Sequence, residues 1–68
     1  MERIEVTILG QKYTVKGNES EDYIKRLAAF VDEKLKEVYN SAPNITRLKA
    51  AILASLNIAD ELHKLKES

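Results

Sequence analysis

His63 is the single histidine of this 68-residue chain, and there is no cysteine. The usual nucleophile, metal-ligand and neutral-pH acid–base chemistries are thereby reduced to one imidazole. No serine or acid lies at a spacing that singles out a triad with it, and one histidine without thiols does not build an ordinary structural zinc site. A solvent or interface role is expected for His63. The adjacent carboxylates Asp32-Glu33 and Asp60-Glu61 look at first like acid–base pairs. Neighbours on a helix point about 100° apart, however, so neither pair converges on one substrate. Both are expected to be solvated helix charges, with Asp60 and Lys64 in the i, i+4 order that supports an exposed helix.

Three other polar features have simpler uses. Gly10 lacks the glycine cluster and following helix of a phosphate cradle, and is expected in a turn, as is Gly17. Asn18-Glu19-Ser20 and Asn44-Ile45-Thr46 match the glycosylation acceptor pattern, but both asparagines are better explained as helix caps. Asn57 interrupts an apolar run, where an amide costs free energy unless paired and can fix helix register when it is. No catalytic residue, metal site or cofactor is expected.

Eleven basic and eleven acidic side chains cancel and are interspersed along the chain. Proteins that grip a phosphate backbone usually carry a net positive face, so nucleic acid is disfavoured. The longest uncharged stretch, Ala50 to Ala59, falls far below the roughly 20 residues that span a bilayer. Met1-Glu2-Arg3-Ile4 has neither the basic start nor the apolar segment of a secretory signal. A cytoplasmic protein with no membrane partner is expected.

The elements follow from periodicity. Residues 3–9 alternate, with Ile4, Val6 and Ile8 on one face, and Lys12-Tyr13-Thr14-Val15-Lys16 supplies a second strand. A turn at Gly10-Gln11 is expected, setting Leu9 opposite Lys12, Ile8 opposite Tyr13 and Val6 opposite Val15. Asn18 with Glu21 resembles a capping box, with Ser20 the alternative cap, and opens a helix expected from about Glu19 to Asn40. Pro43 interrupts, and Asn44 is expected to cap a last helix running to about Leu65. The fold class is therefore α+β, a β-hairpin followed by two α-helices (ββαα), as one domain over residues 1–68.

That last helix is apolar around too much of its circumference for one small core. Ile45, Leu48, Ile52, Leu56 and Ala59 form one stripe, and Ala51, Ala54, Ile58, Leu62 and Leu65 form a second beside it. A helix serving a single core needs a stripe of roughly 100°, and this approaches twice that. The second stripe is expected to be the homodimer interface. Its ending in Lys64, Lys66 and Glu67 carries no stop signal, so the helix is expected to be cut before or within a longer coiled coil. A two-stranded ribbon is marginal alone, so hairpin edges are a second expected place for copies to meet, as a shared sheet.

Ile8-Leu9-Gly10-Gln11-Lys12-Tyr13, a capped helix, and then Ile52-Leu53-Ala54-Ser55-Leu56-Asn57-Ile58-Ala59-Asp60-Glu61-Leu62 together resemble the ZapA family of bacterial cell-division proteins. The similarity covers almost the whole chain; Ser55 stands where alanine is common. The resemblance implies a non-enzymatic cytoplasmic scaffold at the midcell division site that binds FtsZ and promotes bundling of its filaments. It implies a dimerising head, with tetramers where a longer coiled coil is present. For FtsZ contact the expected residues are the cations Lys12, Lys16, Arg26, Lys34, Lys36 and Arg47, all taken as solvent-facing. A small dimeric DNA-binding regulator of antitoxin type is the alternative, disfavoured by the neutral charge. An enzyme subunit with a site across the dimer ranks last, since no acid and base pair up.

Overall fold

Alternating apolar residues produce the hairpin. In a computed structural model that describes residues 2–67, β1 (Glu2–Ile8) pairs antiparallel with β2 (Gln11–Gly17). Ile4 faces Val15, Val6 faces Tyr13 and Ile8 faces Gln11. The two-residue turn is therefore Leu9-Gly10, and the expected Gly10-Gln11 turn is corrected by one position. Each β1 residue meets the β2 residue two positions earlier than expected, which preserves the faces because side chains alternate with period two. Leu9 and Gly10 have φ of 51° and 76°, the positive values that a type I′ turn requires at both central positions. Leucine in the left-handed region costs about 1–2 kcal/mol. Its N–H is held by Asp32 Oδ1 at 2.8 Å, a charge-assisted bond from 23 residues away that fixes the strained turn.

Helix α1 (Glu21–Ser41) begins two residues later than expected. Ser20 is its cap: Tyr23 N–H donates to Ser20 Oγ at 3.2 Å, and Ile24 N–H to the Ser20 carbonyl at 3.1 Å. Glu21 and Asp22 in the first turn complement the helix dipole, and Glu21 pairs with Lys25 at 2.8 Å. Pro43 and Asn44 form a turn. The Ile45 N–H donates to the Ala42 carbonyl at 3.1 Å as the chain reverses. Helix α2 (Arg47–Glu67) follows. Its cap is Thr46, whose Oγ1 accepts from Lys49 N–H at 3.2 Å; the expected Asn44 lies two residues too early.

The chain divides into two compact units, one ending at Glu33 and one starting at Lys34. In the first, Ile4, Val6 and Ala28 are buried, with Ile8, Val15 and Ile24 packed against them. The second holds Leu35 and Val38 of α1 and Ala50 and Ala54 of α2 as its buried residues. Alanines at i and i+4 form a shallow seam, which lets a neighbouring helix come close. The two helices line a common groove through Glu37, Val38, Ser41, Ala42, Leu53 and Asn57, and an ion pair between Lys34 and Glu61 bridges them. Asn57 is exposed there rather than enclosed in an apolar core.

Candidate interaction surfaces

Helix α2 keeps most of its apolar surface in the open. Leu48, Ile52, Leu53, Leu56, Leu62 and Leu65 are all exposed, Leu56 at 61% and Leu65 at 73%. Ala51, Ile52, Ser55, Leu56 and Ala59 line a shallow groove along this face. The Ser55 hydroxyl turns away from solvent competition by donating to the Ala51 carbonyl at 2.7 Å, so its polarity is largely spent within the helix.

The five residues expected at a dimer interface do not share one fate. Ala51, Leu62 and Leu65 are exposed. Ala54 is 3% exposed within the single chain, and Ile58 is half-buried. The seam Ala50-Ala54-Ile58 is the side α2 turns toward its own chain. Leu48, Ile52 and Leu56 of the other stripe are exposed. Helical period alone cannot choose between two apolar stripes, because the choice depends on which side the neighbouring helix approaches.

Among the expected partner-binding cations, Lys12, Lys16, Arg26, Lys36 and Arg47 are exposed. Lys34 is not solvent-facing. Its side chain is 13% exposed and pairs with Glu61 and with Glu37, the latter at 3.9 Å. Arg26 lies over the Tyr23 ring at 5.9 Å from its centroid, a long cation–π contact. Within the hairpin, Lys12 and Lys16 share the outward face of β2. The register adds Arg3 directly opposite Lys16, a cation that pattern reading passed over. Only a correct register could have found it.

Two further features were outside the sequence-based expectation. Tyr23, Leu27 and Phe30 form an exposed stripe at i, i+4 and i+7 on α1, while Ile24, Ala28, Val31, Leu35, Val38 and Tyr39 are buried or half-buried. Asp32, expected as a solvated charge, is half-buried and holds the hairpin turn. His63 is exposed. Among the described residues no cluster of His, Cys, Asp or Glu could hold a metal ion, and no helix is long and apolar enough to cross a membrane.

Known proteins match this chain along nearly its whole length. Residues 4–68 match the family model described as cell division protein ZapA. The cell division protein ZapA of Geobacillus thermodenitrificans is 46% identical over 65 residues, spanning 96% of this chain and 71% of that protein. Its counterpart from Halalkalibacterium halodurans is 39% identical over 66 residues, 97% of this chain and 72% of the relative. A solved ZapA mutant dimer from Geobacillus stearothermophilus superimposes with a TM-score of 0.78 at 44% identity, covering 97% of this chain and 77% of that one. A ββαα chain with matching sequence over both strands and both helices therefore belongs to the ZapA family of cell-division proteins.

Proposed function

We propose that this chain is a non-enzymatic, cytoplasmic scaffold at the midcell division site, a homodimer joined through α2 that binds FtsZ filaments and promotes their bundling. One observation carries the dimer: six large apolar side chains of α2 stand exposed on a 21-residue helix. An apolar face of that size on a small domain is unstable in water unless another surface covers it. A second copy supplies an identical face, and the similar solved structure is a dimer. The interface consists of Leu48, Ile52, Leu56 and Ala59, flanked by Ala51, Leu62 and Leu65. A longer α2 coiled coil would extend the same seam and join dimers into tetramers.

Contact with FtsZ falls to exposed cations, namely Lys12, Lys16, Arg26, Lys36 and Arg47. Each alone is a rim charge that steers encounter more than it holds. A polymer repeats its sites, so linking two weak heads converts the second contact into an intramolecular one and raises avidity by orders of magnitude. Bundling then depends on linkage. The test is co-sedimentation with FtsZ polymers together with light scattering, at low and moderate salt. The chain should pellet with the polymer and raise scattering, while a monomeric variant should bind weakly without bundling. Absence of co-sedimentation at both salts would remove FtsZ as partner. Steeply salt-sensitive binding to duplex DNA at micromolar protein would instead favour the antitoxin-like alternative.

A further inference from the structure

The hairpin presents two unlike faces. Ile4, Val6 and Val15 pack against Ile24 and Ala28 of α1 on the inner one, whereas Arg3, Glu5 and Thr7 of β1 and Lys12, Thr14 and Lys16 of β2 are all exposed on the outer one. Ile8 and Gln11 close the two-residue turn as a hydrogen-bonded pair. By the alternation of an antiparallel ladder, Arg3 and Lys16 then occupy a non-hydrogen-bonded site, where facing side chains come closest. Two cations in that position repel and work against the hairpin. Several other exposed cations have a neighbour that offsets their charge: Lys25 pairs with Glu21 at 2.8 Å, Lys64 with Asp60 at 3.0 Å, and Arg26 lies over the Tyr23 ring. Glu5, the acid on the outer face, reaches Lys12, at 4.0 Å. Among the described residues neither Arg3 nor Lys16 has an ion-pair partner.

A pair that breaks a local rule on an exposed face marks a place where something outside the chain completes it. We infer that Arg3 and Lys16 together hold a carboxylate on an acidic segment of FtsZ, an inference that rests on FtsZ as the partner. The planar guanidinium of Arg3 matches both oxygens of a carboxylate, and Lys16 adds a point charge from the facing strand. Thr14, diagonal to Arg3 in the register, places a hydroxyl on the same face. A carboxylate set over both cations replaces one repulsion with two attractions, so the complex gains what the free hairpin loses. A continuous row of phosphates fits this face poorly, because Glu5 shares it and the chain as a whole carries no net charge. Of the exposed cations that could meet FtsZ, this pair is therefore the one that holds the filament, and Arg26, Lys36 and Arg47 steer. Neither Arg3 nor Lys16 belongs to α2, so the site is separate from the residues that join two copies.

Supplying the acid from within the chain tests this. Lys16→Glu sets a carboxylate opposite Arg3, and Arg3→Glu sets one opposite Lys16. Thermal melting and a co-sedimentation titration with FtsZ polymers are then read side by side. Each variant should melt above the parent yet bind FtsZ about tenfold more weakly, since it loses two exposed ion-pair contacts and adds a repulsion. The exchange Arg3→Lys/Lys16→Arg keeps both charges and should bind like the parent. Lys66→Glu makes the same change in net charge near the end of α2 and should also bind like the parent. If the parent pellets and both acidic variants pellet equally well, the site is overturned while FtsZ stands as partner. An equal loss in Lys66→Glu overturns it too, because net charge alone then accounts for binding. Unchanged melting in both acidic variants refutes the repulsion on which the site is built. A parent chain that never pellets removes FtsZ itself. Duplex DNA bound by the parent and lost in the same two variants assigns the pair to phosphate and overturns an acidic protein partner.

Discussion

Replacing Leu56 by alanine separates the dimer surface from the fold. Full burial of a leucine side chain is worth about 1.5–3 kcal/mol, so the 61% left uncovered in one chain corresponds to about 1–2 kcal/mol available to a partner. A two-fold interface counts the loss in both copies. The dimer should weaken by about 2–4 kcal/mol, a rise of roughly 30- to 700-fold in its dissociation constant. The fold of a single chain should change by less than about 1 kcal/mol, because little of this side chain is covered by its own unit. Sedimentation equilibrium over a concentration series measures the first quantity. Circular dichroism of the dilute chain measures the second. An unchanged dissociation constant would refute the placement of Leu56 in the interface. Ala54→Leu provides the contrast: it overfills a position already covered by its own chain and should destabilise the fold by about 1–3 kcal/mol.

Other substitutions address the parts that hold these surfaces. Gly10→Ala should cost about 1–2 kcal/mol in chemical denaturation, entirely through its positive φ, since nothing lies within 4 Å of the added methyl; an unchanged midpoint would show that the turn relaxes. Asp32→Ala leaves the part-buried Leu9 N–H without this acceptor and should cost about 1.5–3 kcal/mol, with faster exchange of that amide. Ser20→Ala and Thr46→Ala should each lose about 1 kcal/mol and the glycine variants less, as measured by thermal melting, while Asn18→Ala and Asn44→Ala should lose less than either. The Glu21–Lys25 pair lowers the glutamate pKa and raises that of the lysine, in each case first through their hydrogen bond and then through their charges. The Glu21 contribution is present above the ordinary glutamate range and lost as pH falls through its depressed folded value. That of Lys25 is present below the ordinary lysine range and lost as pH rises through its raised value. The melting difference between the parent and Glu21→Gln should accordingly be widest near neutrality and close at both extremes.

Local physics made much of this protein legible in one dimension. Alternation at Ile4, Val6 and Ile8 marks a strand, a glycine between two such runs marks a hairpin, and helical spacing on either side of Pro43 marks two helices. The apolar excess of α2 is also a property of composition and period, and by itself it calls for a second protein surface. Family membership followed from the same residues.

Tertiary structure decided whatever depends on a distant group. The turn settled on Leu9-Gly10 with Asp32, 23 residues away, paired to the turn amide. That choice of register placed Arg3 beside Lys16. Lys34 became a half-hidden ion-pair partner because Glu61 lies across the helix pair, which no charge count along the chain reveals. The division of α2 into an inner seam at Ala50 and Ala54 and an outer face at Ile52 and Leu56 has the same origin. Both stripes satisfy the helical period, and only the side from which α1 approaches determines which one its own chain covers.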